Sequence, residues 1–214
     1  MDWQQVVLMF VTLTISLTFH EAAHALFALL GGDRTAYHSG QVSLNPLPHM
    51  QREPFGMVIL PLLVLMLSNG SMCLGFASTP IDVYWAARNP RRAALMSAAG
   101  PLANVLLATI AFVVLWFIGR PDTDTELAVR RIAGAFLLLN LLLAVFNCIP
   151  LRPLDGAGVL TGLFPPLRRF YDTIDNIPYS MIVTFVLLVQ VLPYLFWPVF
   201  FAVDRLLPFP LHLG

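Results

Sequence analysis

His20, Glu21 and His24 are the ionisable side chains between Asp2 and Asp33, and they stand together as His20-Glu21-Ala22-Ala23-His24. On a helix, positions four apart share a face, so the two imidazoles aim at one point. This is the H-E-x-x-H zinc pattern, in which the intervening carboxylate acts as general base. Glu21 points about 100° around the helix from His20, so it is no ligand on that face but can reach a metal-bound water. The flanking residues are apolar over 6–31, long enough to cross a bilayer. Ionisable groups at that depth are costly and mark function. The chemistry these residues predict is zinc-assisted hydrolysis of a peptide bond within the membrane.

The elements that must position them are helices. Of 214 residues, 58% are hydrophobic and 11% charged, with mean hydropathy +0.77. A soluble domain carries about 25% charged residues, so composition alone indicates a membrane protein. Apolar runs at 6–31, 55–77, 93–118, 127–149 and about 179–203 each approach or exceed the ~20 residues of a spanning helix. The polar intervals, about 33–54, 78–92 and 151–178, hold no independent soluble domain. Weak alternation at 40–45 predicts one short strand or hairpin arm. The expected fold is an all-α polytopic membrane protein over residues 1–214, with about four transmembrane helices, a re-entrant hairpin and one short β element. The motif-bearing core covers about 6–160 and a C-terminal helix about 179–203.

All 12 basic residues are Arg, and formal net charge is zero, which argues against nucleic acid as a partner. Cys73 and Cys148 form no C-x-x-C, so neither a disulfide framework nor a cysteine zinc site is expected. The first apolar run lacks a basic n-region and is too long for a cleaved signal peptide.

A second constellation follows the fourth run: Asn147-Cys148-Ile149-Pro150-Leu151-Arg152-Pro153-Leu154-Asp155-Gly156. Its prolines break the helix and leave Asp155 on irregular backbone. A catalytic zinc wants three protein ligands and one open position; His20 and His24 supply two, and Asp155 is the natural third. Together with Ala99-Gly100-Pro101-Leu102-Ala103-Asn104, these motifs make the chain resemble the site-2 protease family of intramembrane zinc metalloproteases. The three motifs come in family order. One departure is Ala157, where a second Gly often follows Asp-Gly.

The resemblance implies one Zn²⁺ per chain and a transmembrane protein as substrate. It also implies a zinc site toward the cytoplasmic side, and a role for Asn147 in orienting the substrate or stabilising the oxyanion. An interhelical hydrogen bond is the other role open to Asn147. Asn104 either helps hold the site or packs between helices. His49 reads as a loop histidine, His38 and His212 as solvent-side residues, and Cys148 as packing. Two alternatives stand beside the protease: a membrane zinc enzyme acting on a lipid or small substrate, and a non-catalytic metal-binding membrane protein.

Topology follows from the ligands. Five straight spans would leave Asp155 on the opposite side from the histidines, yet three ligands must converge within about 2 Å of one ion. The run 55–77 contains Pro61, then Ser68-Asn69-Gly70-Ser71, then Gly75. Such a break suits a hairpin that enters and leaves on one side, and this hairpin would line an access path for substrate. It also sorts the arginines. Straight spans divide them six and six; the hairpin puts Arg34, Arg52, Arg88, Arg91, Arg92, Arg152, Arg168 and Arg169 together, eight against four. The positive-inside rule makes that side cytoplasmic. A short chain without appended domains suggests a prokaryotic plasma membrane.

Overall fold

The computed structural model describes residues 2–211; His212 lies outside them. Among the described residues, four helices are long and apolar enough to cross a membrane: Trp3–Gly31, Pro90–Ile118, Asp124–Cys148 and Ile182–Asp204. In chain order the helices are α1 (Trp3–Gly31), α2 (Thr35–His38), α3 (Pro46–Arg52), α4 (Leu60–Leu67, continuing a π-helical turn Phe55–Ile59), α5 (Val83–Arg88), α6 (Pro90–Ile118), α7 (Asp124–Cys148), α8 (Asp155–Leu163), α9 (Leu167–Asp175) and α10 (Ser180–Asp204).

Local chemistry sets the ends. Asp2 accepts the Gln4 and Gln5 N–H groups ahead of α1, and Gly32 closes it at φ +100°, a conformation that favours glycine. A reciprocal capping box between Thr123 and Glu126 starts α7. One core joins Val6, Met9, Leu13 and Leu17 of α1 to Met57 and Leu65 of the hairpin and Ala135 and Leu139 of α7.

The break at Ser68-Asn69-Gly70-Ser71 is a turn, and the chain beyond it returns beside α1 as extended backbone. Gly70 lies against Gln5 and Val6, Cys73 against the Met9 carbonyl, and Gly75 against Leu13. Thr79 bonds Glu21, and Asp82 bonds Asp33. Twelve extended residues from Gly70 and 27 helical residues from Val6 both come to about 40 Å. The return arm therefore keeps pace with the whole of α1. The chain enters and leaves at the same end of that helix, as the ligand argument requires.

Two expectations are corrected. Residues 40–45 form no strand; among the described residues there is none. A strand needs a partner edge, and here side chains meet the backbone instead. The Ser43 hydroxyl accepts the Asn45 N–H, Asn45 caps α3, and the Ser43 carbonyl accepts from His49 Nε2 at 2.9 Å. His49, expected as a loop histidine, stands instead within helix α3 and is buried at 1% exposure. His38 is exposed as expected.

Asp33 moors the arm. Its carboxylate accepts the Thr35 N–H and hydroxyl and the Asp82 N–H at 2.8 Å. Burial pushes this carboxyl up, but those hydrogen bonds outweigh burial and hold it below its ordinary range. A depressed folded-state value contributes stability above the unfolded value of about 3.9, lost as pH falls through the folded one. Asp33→Ala removes the acceptor of three part-buried hydrogen bonds, each worth about 1 kcal/mol or less. It should speed amide hydrogen exchange over residues 72–82 at neutral pH, and wild type should show the same loosening only below about pH 4.

Candidate metal centre

The H-E-x-x-H segment lies in the second half of α1, whose 29 residues make the face shared by His20 and His24 continuous. Asp155 arrives from α7. That helix ends at Cys148, tight turns at Leu151 and Leu154 reverse the chain, and the Tyr171 hydroxyl donates to the Pro150 carbonyl at 2.7 Å. Asp155 is then the first residue of α8, not part of an irregular segment, because the prolines precede it and Gly156 allows the close return. A Cβ on Gly156 would stand 2.6 Å from the Ile149 carbonyl. Ala157 is buried within α8, so this helix does not require a second glycine there.

The three side chains converge. His20 Nε2 lies 3.1 Å from Asp155 Oδ2, His24 Nε2 lies 3.2 Å from Asp155 Oδ1, and the two Nε2 atoms are 3.0 Å apart. One ligand atom from each falls within 4.8 Å of the others. His24 Nδ1 donates to the Met96 carbonyl at 2.7 Å; a carbonyl can only accept, so in the neutral ring His24 Nε2 carries the lone pair. That lone pair faces a carboxylate oxygen, and Asp155 Oδ2 is buried without a hydrogen bond. Acceptor facing acceptor is repulsive unless a proton or a metal cation stands between them. The donor set, two imidazoles and a carboxylate, suits zinc.

Helix α6 makes room for this. A Cβ on Gly100 would come within 2.6 Å of His20 Nε2 and closer still to His24 Nε2. Gly158 of α8 similarly lies against Ser97, and Gly162 against Ala94, so α8 packs on α6 at close range.

A cavity of about 590 Å³ opens over the cluster, with His20, Glu21, His24, Asp155, Asn147 and Thr79 in its wall. Glu21 is buried, and its Oε2 accepts the Thr79 hydroxyl at 2.7 Å. The same hydroxyl lies 3.0 Å from the Glu21 carbonyl. Asn147 Nδ2 donates to the Leu143 carbonyl at 3.0 Å. Asn104 Oδ1 lies 2.6 Å from His20 Nδ1. Cys148 is exposed and free. The hairpin meets the cavity through its return arm, Gly75 to Thr79; its tip, with Gly70 against Gln5 and Val6, lies at the far end of α1.

The sequence offers no local sign of Thr79, which is 58 residues from Glu21, or of the Met96 carbonyl. Gly100 carried a sign, since a glycine inside a helical pattern points to close approach. Gly100→Ala should weaken zinc retention tenfold or more while leaving helix content intact, measured by metal analysis and circular dichroism.

A Bacillus subtilis (strain 168) protein, "Putative zinc metalloprotease YwhC", is 35% identical over 196 residues, 88% of this chain and 83% of its own. A Mycolicibacterium smegmatis (strain ATCC 700084 / mc(2)155) protein, "Putative zinc metalloprotease Rip2", is 33% identical over 147 residues, 68% of this chain and 53% of its own. The chain thus spans about half the length of the second relative. No family model matches, and no solved structure matches.

Proposed function

The chain belongs to the zinc metalloprotease family of these two bacterial proteins, and from that premise we propose that it is an intramembrane endopeptidase of the site-2 type. Its substrate is a transmembrane segment of another membrane protein. The observation that carries this reading is the convergence of His20, His24 and Asp155 at the depth of apolar spanning helices, with a carboxylate alongside that is not needed as a ligand.

His20, His24 and Asp155 would hold one Zn²⁺, which when bound would supply Lewis acidity and ease deprotonation of water near neutral pH. Glu21 takes the proton of the attacking water and hands it to the leaving amine. Thr79 fixes the carboxylate for that exchange through its 2.7 Å hydrogen bond. Asn147 spends one amide hydrogen on Leu143; the second is free to meet the carbonyl oxygen of the scissile bond as negative charge develops there. A helical substrate shields its peptide bonds with its own hydrogen bonds, so it must unwind locally. Segments carrying Gly, Pro or Asn are the expected targets. The eight arginines at the ligand-bearing end, against four at the other, support a cytoplasmic orientation of that end in a plasma membrane.

The test is zinc content and cleavage of single-pass substrates by purified protein in bilayers. Wild type should hold about one zinc and cut; Asp155→Ala should lose the metal. Glu21→Gln should keep it and lose roughly 10²–10⁴-fold in rate. A zinc-loaded wild type that cleaves no transmembrane peptide but hydrolyses a lipid would overturn the proposal. For the base clamp, Thr79→Val should lower kcat about tenfold with zinc content and KM unchanged, and Thr79→Ser should restore it.

A further inference from the structure

Three fully buried polar side chains lie behind His20 on three different helices: Ser16 of α1, Asn104 of α6 and Asn140 of α7, each at 0% exposure. Their orientation can be deduced outward from a backbone carbonyl. The Phe136 carbonyl only accepts, so the Asn140 atom 2.9 Å away is its NH₂ group. The second hydrogen of that group goes to the Ser16 hydroxyl at 2.9 Å, which passes its own proton to the Thr12 carbonyl at 2.7 Å. Asn140 Oδ1 is thereby turned toward Asn104, whose NH₂ donates to it at 2.9 Å and reaches the Ser16 carbonyl at 3.4 Å. Asn104 then presents its oxygen to His20 Nδ1 at 2.6 Å. Flipping either amide would set like against like at one of these contacts.

We infer that Asn104 and Asn140 are positioning residues that write the tautomer of His20, an inference that rests on the reading of His20 as a zinc ligand. An oxygen at His20 Nδ1 requires the proton there, which in the neutral, metal-binding ring leaves the lone pair on Nε2, the atom facing His24 and Asp155. His24 reaches the same state through one backbone carbonyl; His20 reaches it through two amides. The relay begins on α7, the helix that also delivers Asp155. Ligand orientation and ligand delivery are therefore coupled through one element. Packing alone would need the bond between the two asparagines but not a defined polarity toward His20.

The experiment compares zinc affinity, by chelator competition, in wild type, Asn104→Leu, Asn104→Asp and Asn140→Leu. Loss of a partner behind a ligating imidazole costs about 10–100-fold in metal affinity. Asn104→Leu should show that loss, and Asn140→Leu a smaller one. Asn104→Asp still offers His20 an oxygen but sets its second oxygen against Asn140 Oδ1, so it should lose affinity, though clearly less than Asn104→Leu. Equal affinity in Asn104→Leu, or equal losses in the Leu and Asp variants, would overturn the inference. Histidine ¹⁵N NMR of the zinc-loaded wild type gives a readout that needs no variant to fold. His20 should carry its proton on Nδ1 with Nε2 bound to metal, and the reverse assignment would overturn the relay. A wild type that holds no zinc would instead remove the metal-site reading, and the relay's purpose with it.

Discussion

Two imidazole nitrogens and a carboxylate facing one another at 3.0–3.2 Å make an arrangement that needs a proton or a metal cation among its atoms. In its neutral form each imidazole presents the Nε2 lone pair, because its other nitrogen donates to an oxygen. Asp155 Oδ2 has no hydrogen bond. In an apolar interior such repulsion is little screened, and a divalent cation turns it into attraction. Much of the remaining architecture can be understood as holding these acceptors together until the ion arrives.

Helix α6 bears most of that burden, and its means is spacing. Met96, Gly100 and Asn104 recur every four residues and so share one face. They provide a carbonyl for His24, an absent side chain for both imidazoles and an amide oxygen for His20. Close approach continues on α8 through Gly158 and Gly162. Within lipid, helices associate through packing and hydrogen bonds instead of the hydrophobic effect. Small residues and buried amides therefore do the work that large apolar side chains do in a soluble core. Helix α10 stands outside this triad, yet its Leu188 packs with Ile149 and Leu154 and braces the turn that delivers Asp155.

The hairpin solves a different problem. Extended backbone at membrane depth is tolerable only beside protein or a water-filled cavity, and the return arm has both. It is moored at intervals by side chains: Ser68 at the tip, Arg52 at Ser78 and Asp33 at Asp82. Backbone pairing contributes at Phe76 and Gly56. The Thr79 tether ties the arm to Glu21, so the wall of the cavity and the carboxylate within it move together.

What the sequence by itself determined is the chemistry written in contiguous residues. The His20–His24 spacing, the four long apolar helices, the proline-broken approach to Asp155 and the break after Leu67 all report local backbone preference. Local preference survives into the folded state. Even the hairpin followed from sequence, because three ligands on one ion impose a distance constraint that straight spans violate. Only the tertiary structure decided which partner stands behind each group. Asn104 meets Asn140 across 36 residues and Thr79 meets Glu21 across 58, and no periodicity encodes such pairs. They depend on how each helix is rotated about its axis, and small residues such as Gly100 and Gly158 set that rotation by where they let neighbours approach. The same dependence explains the misread segment at 40–45 and the burial of His49. Weak alternation there had no partner edge to pair with, and helix and loop took up its hydrogen bonds instead.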